Sequence, residues 1–320
     1  MGLSLSAAPG GPQASGKLHP MLSSRSEFLS VRGLRLHLRE WGDPTAPILF
    51  LLHGWMDVSA SFQFMADFLA ARWRVVAPDW RGFGLSTGQG DAYWFPDYLG
   101  DLDAILSHYS PAEPVRLVGH SLGGNVACLY AGVRPERVAG VVALDGFGLA
   151  DVPAEEAPRR YARWLDELAA PAAFREYPNF AALAERLCAD QPRLPRERAE
   201  FLAAHLGEVR PDGTVRMAAD AAHRRVNPIL YRRAEALACW RRITAPVLWV
   251  APEDTSLRQR MGVDDATYQS AMACFADFRL EMVPDAGHNL HREQPEAVAR
   301  IIDAFFLSQG HGNTEKDESL

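Results

Sequence analysis

Six residues able to do polar chemistry follow apolar runs in this chain: His53, Asp79, Ser121, Asp145, Asp254 and His288. Ser121 stands between Gly119 and Gly123, after the run Val115 to Val118 and before an Ala-rich helical pattern that continues through Val133. In a strand-to-helix elbow the serine occupies a sharp, strained turn, and the glycines two before and two after it avoid clashes with the neighbouring strand and helix. The hydroxyl is thereby presented over the carboxyl edge of a sheet, beside the positive end of a helix. A serine hydroxyl is a poor nucleophile at neutral pH. It needs a base in hydrogen-bond reach, and the base needs a group that fixes its tautomer. His288 can supply the base and an aspartate the orienting charge, which is the chemistry of acyl transfer.

The elements that must hold these groups are legible as periodicity. Phe28 to Val31 and Leu34 to Glu40 alternate around Arg32-Gly33, as in an edge hairpin, and His37 belongs to that alternation. Continuous apolar runs at 47–52, 73–77, 138–144 and 245–250, with a further strand at 278–283, read as strands of a sheet. Helical spacing lies between them, around Phe62 to Leu69, Tyr98 to Leu106, Ala266 to Phe275 and Pro295 to Phe306. Such alternation predicts an α/β fold with a mostly parallel, doubly wound sheet, whose ligands bind at the carboxyl ends of the strands. Between about 151 and 240 the β-branched runs vanish and Ala, Leu, Arg and Glu dominate with repeated prolines, so an all-helical insert is expected there. The resulting division is a disordered leader over 1–25, a core over 26–150 and 241–307, a cap over 151–240 and a flexible tail over 308–320.

Composition excludes several classes. A 320-residue chain with 48% hydrophobic residues can bury a large core. A formal charge of -7 argues against a nucleic-acid partner. No apolar run reaches membrane-spanning length, and residues 1–24 lack the apolar centre of a secretory signal. Gly2 and Ser6 fit a myristoylation pattern only loosely. Cys128, Cys188, Cys239 and Cys274 are scattered without metal spacing, which points to free thiols in a reducing, cytoplasmic compartment. The Gly-rich stretch to Gly90 lacks a phosphate-binding signature, and no cofactor or metal is expected.

Five motifs occur in order: HGW at 53–55, PDWRGFGLS at 78–86, GHSLGG at 119–124, APED at 251–254 and GHNLHREQPE at 287–296. On these motifs the chain from about 26 to 307 resembles the α/β-hydrolase superfamily, with a helical cap inserted after the sixth strand. The stretch HGWMDVSASF at 53–62 is most similar to serine-hydrolase-like proteins, and HGW with the elbow is similar to short-acyl carboxylesterases. The resemblance implies Ser121 as nucleophile, His288 as base and Asp254 as acid, although Ala251 stands where many relatives have glycine. Asp145 is the competing acid, since some members place it after the sixth strand. Backbone N–H groups of Trp55 and Leu122 are implied as the oxyanion hole, with Gly54 keeping that backbone approachable.

The remaining candidates read as structural. His53 is expected to brace its loop, His120 to point away from Ser121, and His291 to pack or lie on the surface. His108, His205 and His223 show no metal spacing. In the insert, Trp164, Phe174, Tyr177, Phe180, Tyr231 and Trp240 could line an apolar pocket or pack the core. Arg159, Arg160, Arg163, Arg224 and Arg225 are interleaved with acids, as on a solvated helix face. The expected activity is hydrolysis of a small or medium acyl substrate, a carboxylic ester, through an acyl-enzyme. Relatives that open epoxides or carbon–halogen bonds carry an aspartate at the elbow, and Ser121 argues against both. C–C bond hydrolysis of vinylogous diketones is the alternative, followed by a lyase of the menaquinone-pathway type. A ligand receptor or scaffold on the same fold is the alternative outside the enzymes. The oligomeric state is open.

Overall fold

Each buried run of the sequence places alternate residues on opposite faces of one sheet. In the computed structural model, which describes residues 21–90, 92–170 and 172–310, eight strands form that sheet. They are β1 (Arg25–Val31), β2 (Leu34–Trp41), β3 (Ile48–Leu52), β4 (Arg74–Pro78), β5 (Val115–His120) and β6 (Val138–Leu144), with β9 (Val247–Pro252) and β10 (Phe278–Val283) later in the chain. A separate pair, β7 (Gly207–Val209) and β8 (Val215–Met217), is antiparallel. The large sheet has the order β1-β2-β4-β3-β5-β6-β9-β10. It is parallel from β4 to β10, while β2 runs antiparallel to both of its neighbours. Arg32 and Gly33, both at positive φ (49° and 80°), make the tight turn between β1 and β2.

The period-2 reading of the continuous runs accounts for the two cores. Phe50 and Leu52 of β3, Val76 of β4, and Val247 and Trp249 of β9 enter one hydrophobic cluster. Leu49, Leu51, Val75, Leu248 and Val250 enter the other. A strand covered on both faces has no polar side to show, which is why these runs do not alternate. The first face is covered by α2 (Phe95–Tyr109), α3 (Leu122–Val133) and α7 (Arg233–Trp240), and the second by α1 (Gln63–Leu69) and α11 (Pro295–Gly310).

Residues 151–240 lie outside the sheet and hold α4 (Ala157–Ala169), α5 (Phe180–Asp190) and α6 (Arg196–Leu206) before the β7–β8 hairpin. The expectation of an all-helical insert is therefore corrected: a short hairpin closes over α5 and α6, with Val215 buried in their apolar cluster. Three-residue strands are too short to leave a periodic signature in the sequence. After β9 come α8 (Ser256–Arg260) and α9 (Asp265–Met272), and α10 (Leu290–Glu293) precedes α11. At the ends, β1 begins at Arg25 and α11 continues to Gly310, so the expected leader and tail each overlap an element. Gly2 and Ser6 lie outside the described residues. Among the described residues, no helix is long and apolar enough to cross a membrane.

Candidate active site

The elbow forms because nothing but glycine fits around it. A Cβ on Gly119 would lie 2.2 Å from the carbonyl oxygen of Gly123, and one on Gly123 would lie 2.0 Å from that of Leu52 in β3. Ser121 itself is held at φ 51°, ψ −113°, a conformation costly for a residue with a side chain. Its amide donates to Leu144 O of β6 at 2.9 Å, which ties the strained turn to the next strand.

That next strand delivers a carboxylate. Asp145, one residue past β6 and also at positive φ (46°), places Oδ2 2.6 Å from His288 Nδ1. Its side chain is only 8% exposed. Asn125 of α3 accepts the Gly148 amide at 2.8 Å and so fixes the loop that follows Asp145. Asp254 is not beside His288, which corrects the expectation that it would be the partner. It is 40% exposed, its Oδ1 accepts the Ser256 amide at 3.0 Å, and Arg193 lies 3.8 Å away. The bond from Ser256, together with Arg193, holds its carboxyl below the usual range. The sheet order supplies the reason. β6 borders the nucleophile strand β5, whereas β9 lies one strand farther out and Asp254 is two residues beyond its end.

His288 is fixed from behind. Its carbonyl oxygen accepts a hydrogen bond from His120 Nε2 at 2.8 Å, and Glu293 holds the preceding Gly287 amide at 2.7 Å. With Nδ1 committed to Asp145, Nε2 is the nitrogen left for Ser121, which lines the same cavity. His120, next to the serine in sequence, thus turns away from it, as expected.

The loop after β3 carries the other expected groups. His53 Nδ1 donates to Gly54 O at 2.7 Å, and Nε2 accepts the Trp80 amide at 2.9 Å. Complete burial lowers its proton affinity, against the pull of Asp57 and Asp79. It is a neutral brace for the loop. Trp55 and Leu122 both line the cavity. Leu122 is the first residue of α3, where an amide has no helical acceptor. Met56, at φ 58°, turns the chain sharply after Trp55.

The cavity measures about 680 Å³, within the range of small-molecule sites. None of the six insert aromatics singled out from the sequence lines it. Its aromatic wall comes instead from Trp55, Phe147 and the stretch Tyr93, Trp94, Phe95 and Tyr98 entering α2. Helical spacing alone could not separate packing aromatics from lining ones: Trp240 stacks on Phe275 in the core, and Phe174 meets Arg224. The insert roofs the site with Leu187, Leu206, Met217, Val226 and Asn227. His223, read from the sequence as an ordinary polar residue, is a latch for this roof. It is stacked between Phe83 and Tyr93, at 3.8 and 3.7 Å, and bonds Arg81 O at 3.0 Å. Burial pulls its pKa down to about 4. Of the insert arginines, Arg159 pairs with Glu156 and Arg163 with Glu167 at exposed positions, while Arg160 and Arg224 reach carbonyls. Arg225 lines the cavity and donates to Gly90 O at 3.1 Å.

A cluster that the sequence did not reveal lies behind His288. His291, one turn on, is fully buried. Its Nε2 is 3.7 Å from Asp57 Oδ2, and Asp57 also meets Arg292. Burial opposes charge on Asp57, but Arg292 and His291 prevail and hold its carboxyl well below the usual range. Among the described residues, Asp57, His120 and His291 are the one group whose donor atoms stand close enough to share a metal ion. A Ser-His-Asp relay also occurs away from the cavity, where His37 bonds Ser26 and Asp79 at 2.8 Å each. There Asp79 also accepts the Ser59 and Leu85 amides, as a structural hub.

Comparison with known proteins agrees with this fold. The Alpha/beta hydrolase family pattern matches residues 49–301. A serine hydrolase-like protein of Danio rerio is 28% identical over 306 residues, covering 92% of each chain. The 2-(acetamidomethylene)succinate hydrolase of Mesorhizobium japonicum is 27% identical over 286 residues, covering 88% of this chain and 94% of that one. Among solved structures, a thioesterase domain from the curacin biosynthetic pathway superposes with a TM-score of 0.80 at 27% identity, over 88% of this chain and 99% of that chain.

Proposed function

Because this chain belongs to the alpha/beta hydrolase family, we propose that it is a serine hydrolase cleaving carboxylic esters of small or medium apolar acids through an acyl-enzyme. The observation that carries the reading is the 2.6 Å contact between His288 Nδ1 and Asp145 Oδ2, at the rim of the cavity that Ser121 enters. Ser121 Oγ attacks the acyl carbon while His288 Nε2 takes its proton. The tetrahedral oxyanion is met by the amides of Trp55 and Leu122. Collapse expels the alkoxide, which leaves as alcohol with the proton from His288. Water then attacks the acyl-serine by the same steps in reverse order, releasing the acid and restoring the hydroxyl. Asp145 holds the imidazole tautomer and stabilises the imidazolium formed in each half-reaction. No step calls for a cofactor.

The apolar wall supports an uncharged acyl group. The arginines at the cavity are engaged, Arg292 by Asp57 and Arg225 by Gly90 O, which does not favour a dicarboxylate such as the succinate named for the Mesorhizobium relative. The same absence of a committed cationic grip disfavours C–C cleavage of a vinylogous diketone, and the Asp145–His288 pair disfavours a mere scaffold. Four free cysteines support a reducing, cytoplasmic setting. The test is covalent labelling by a fluorophosphonate, followed by turnover of p-nitrophenyl esters of increasing chain length. We expect labelling at Ser121, its loss in a folded Ser121→Ala variant, and an optimum at a medium acyl chain. Labelling at a different serine, or unchanged turnover in Ser121→Ala, defeats the proposal.

A further inference from the structure

In the cluster behind His288 the two histidines carry ring nitrogens with nothing to hold, while Asp57 already accepts the Val58 amide at 2.7 Å on Oδ1 and Ser61 Oγ at 2.9 Å on Oδ2. His120 Nδ1 and both ring nitrogens of His291 are buried without a hydrogen-bond partner. Buried polar atoms in a native fold are nearly always satisfied, so three such nitrogens side by side mark a place where an ion or a water finds partners. His120 donates its Nε2 proton to the His288 carbonyl, which fixes the tautomer and leaves Nδ1 with its lone pair. Asp57 is an anion with Oδ2 facing His291. One donor atom from each of the three residues lies within 4.8 Å of the others. Tetrahedral zinc, with bonds near 2.0–2.1 Å, sets its donors about 3.4 Å apart. The 3.7 Å between His291 and Asp57 is already close to that value.

We propose that Asp57, His120 and His291 form a binding site for a first-row divalent cation of the zinc type, and that an ion there inhibits the enzyme reversibly. Two imidazoles and a carboxylate are a ligand set such ions favour. The cavity also gives access, since Asp57 and His120 both line it. Arg292 sits on the other oxygen of Asp57 and keeps the affinity below that of a structural zinc site. Inhibition follows from two contacts. Capture of His120 turns the ring whose Nε2 holds the His288 main chain. The ion also brings positive charge close to the ring that must become an imidazolium, since the His120 and His288 ring centres are 4.7 Å apart. Binding is independent of the proposed reaction, whereas inhibition rests on the reading of His288 as its base.

Zinc binding to the full chain by calorimetry, and cobalt(II) binding by its visible spectrum, test the site directly. We expect one ion per chain, a tetrahedral cobalt spectrum, and binding that survives both Ser121→Ala and His288→Ala. His291→Gln should weaken zinc by about tenfold or more, at least the loss seen when a metal's supporting residues are removed. The same variant should turn over ester at close to the wild-type rate while losing its sensitivity to zinc. Unchanged zinc affinity in His291→Gln, or loss of binding in His288→Ala, overturns the proposal in favour of an ion on the reactive histidine. Absence of binding at millimolar zinc overturns it outright. Should His291→Gln fail to fold, the anomalous-scattering peak of a zinc-soaked wild-type crystal decides, by lying among the three residues or elsewhere. A chain that binds zinc at this place but hydrolyses no ester keeps the site and removes the reading of Ser121.

Discussion

Replacing Asp145 by asparagine keeps the shape of the side chain and removes its charge. In the wild type, Asp145 Oδ2 lies 2.6 Å from His288 Nδ1 and the carboxylate is almost fully buried. When His288 takes the serine proton, a full positive charge forms on a ring centred roughly 4 Å from that carboxylate, and at an effective dielectric of about 20 the attraction is about 4 kcal/mol. Its loss from the transition state corresponds to roughly 10³-fold in rate. The asparagine can also turn its NH₂ toward Nδ1, which favours the tautomer with its proton facing Ser121. In the serine-protease template, that change costs about 10⁴. We therefore expect kcat/KM for a p-nitrophenyl ester to fall by about 10²–10⁴-fold in Asp145→Asn, mostly in kcat, with labelling by fluorophosphonate slowed to match. Asp254→Asn, at an exposed position with only an amide and a distant arginine as partners, should lose less than about tenfold. Steady-state kinetics on variants of matched thermal stability are the assay. The reverse ranking would refute the argument from geometry and make the region after β9 move toward His288 during turnover. Small losses in both would show that some other group orients the imidazole.

Three further outcomes follow from the same structure. Gly123→Ala, whose added Cβ would meet the Leu52 carbonyl at 2.0 Å, should lower stability by about 3 kcal/mol or more and abolish labelling; a folded, labelled variant in denaturant titrations would contradict this. The second concerns acid stability. His223 and His291 are held by burial at about pKa 4, below the usual value of about 6.5. Between these pH values the unfolded chain binds more protons than the native one, so stability is greatest above about pH 6.5 and falls as pH drops toward 4. Urea unfolding at pH 7 and pH 4.5 should show a loss of several kcal/mol that is smaller in His223→Gln, and equal stability at the two pH values would refute the assignment. Lastly, Arg225→Ala should cost less than about tenfold in ester turnover, because this arginine is engaged at the cavity rim; a loss of 100-fold, about 2.7 kcal/mol, would indicate that it grips a substrate carboxylate.

Spacing alone determined the strands of the large sheet and the elbow. Buried strands, the glycines around Ser121 and the order of the chemical groups are local properties, written in residues that touch within a few positions of one another. Gly119 is an example, for the clash it avoids is with the Gly123 carbonyl of the same turn. The choice of acid was different. Asp145 and Asp254 both follow buried strands, and resemblance favoured Asp254, but which of them meets His288 depends on strand order, with β6 beside β5 and β9 beyond it. No local pattern encodes that order. The lining of the cavity was decided in the same way, since helical spacing marks an apolar face without saying whether a helix or a substrate covers it. Trp240 went to the core and Trp94 to the cavity. The Asp57, His120 and His291 cluster was invisible for a further reason. Its members come from three separate segments, and a set of donors becomes a site only when the fold brings them within reach of one ion.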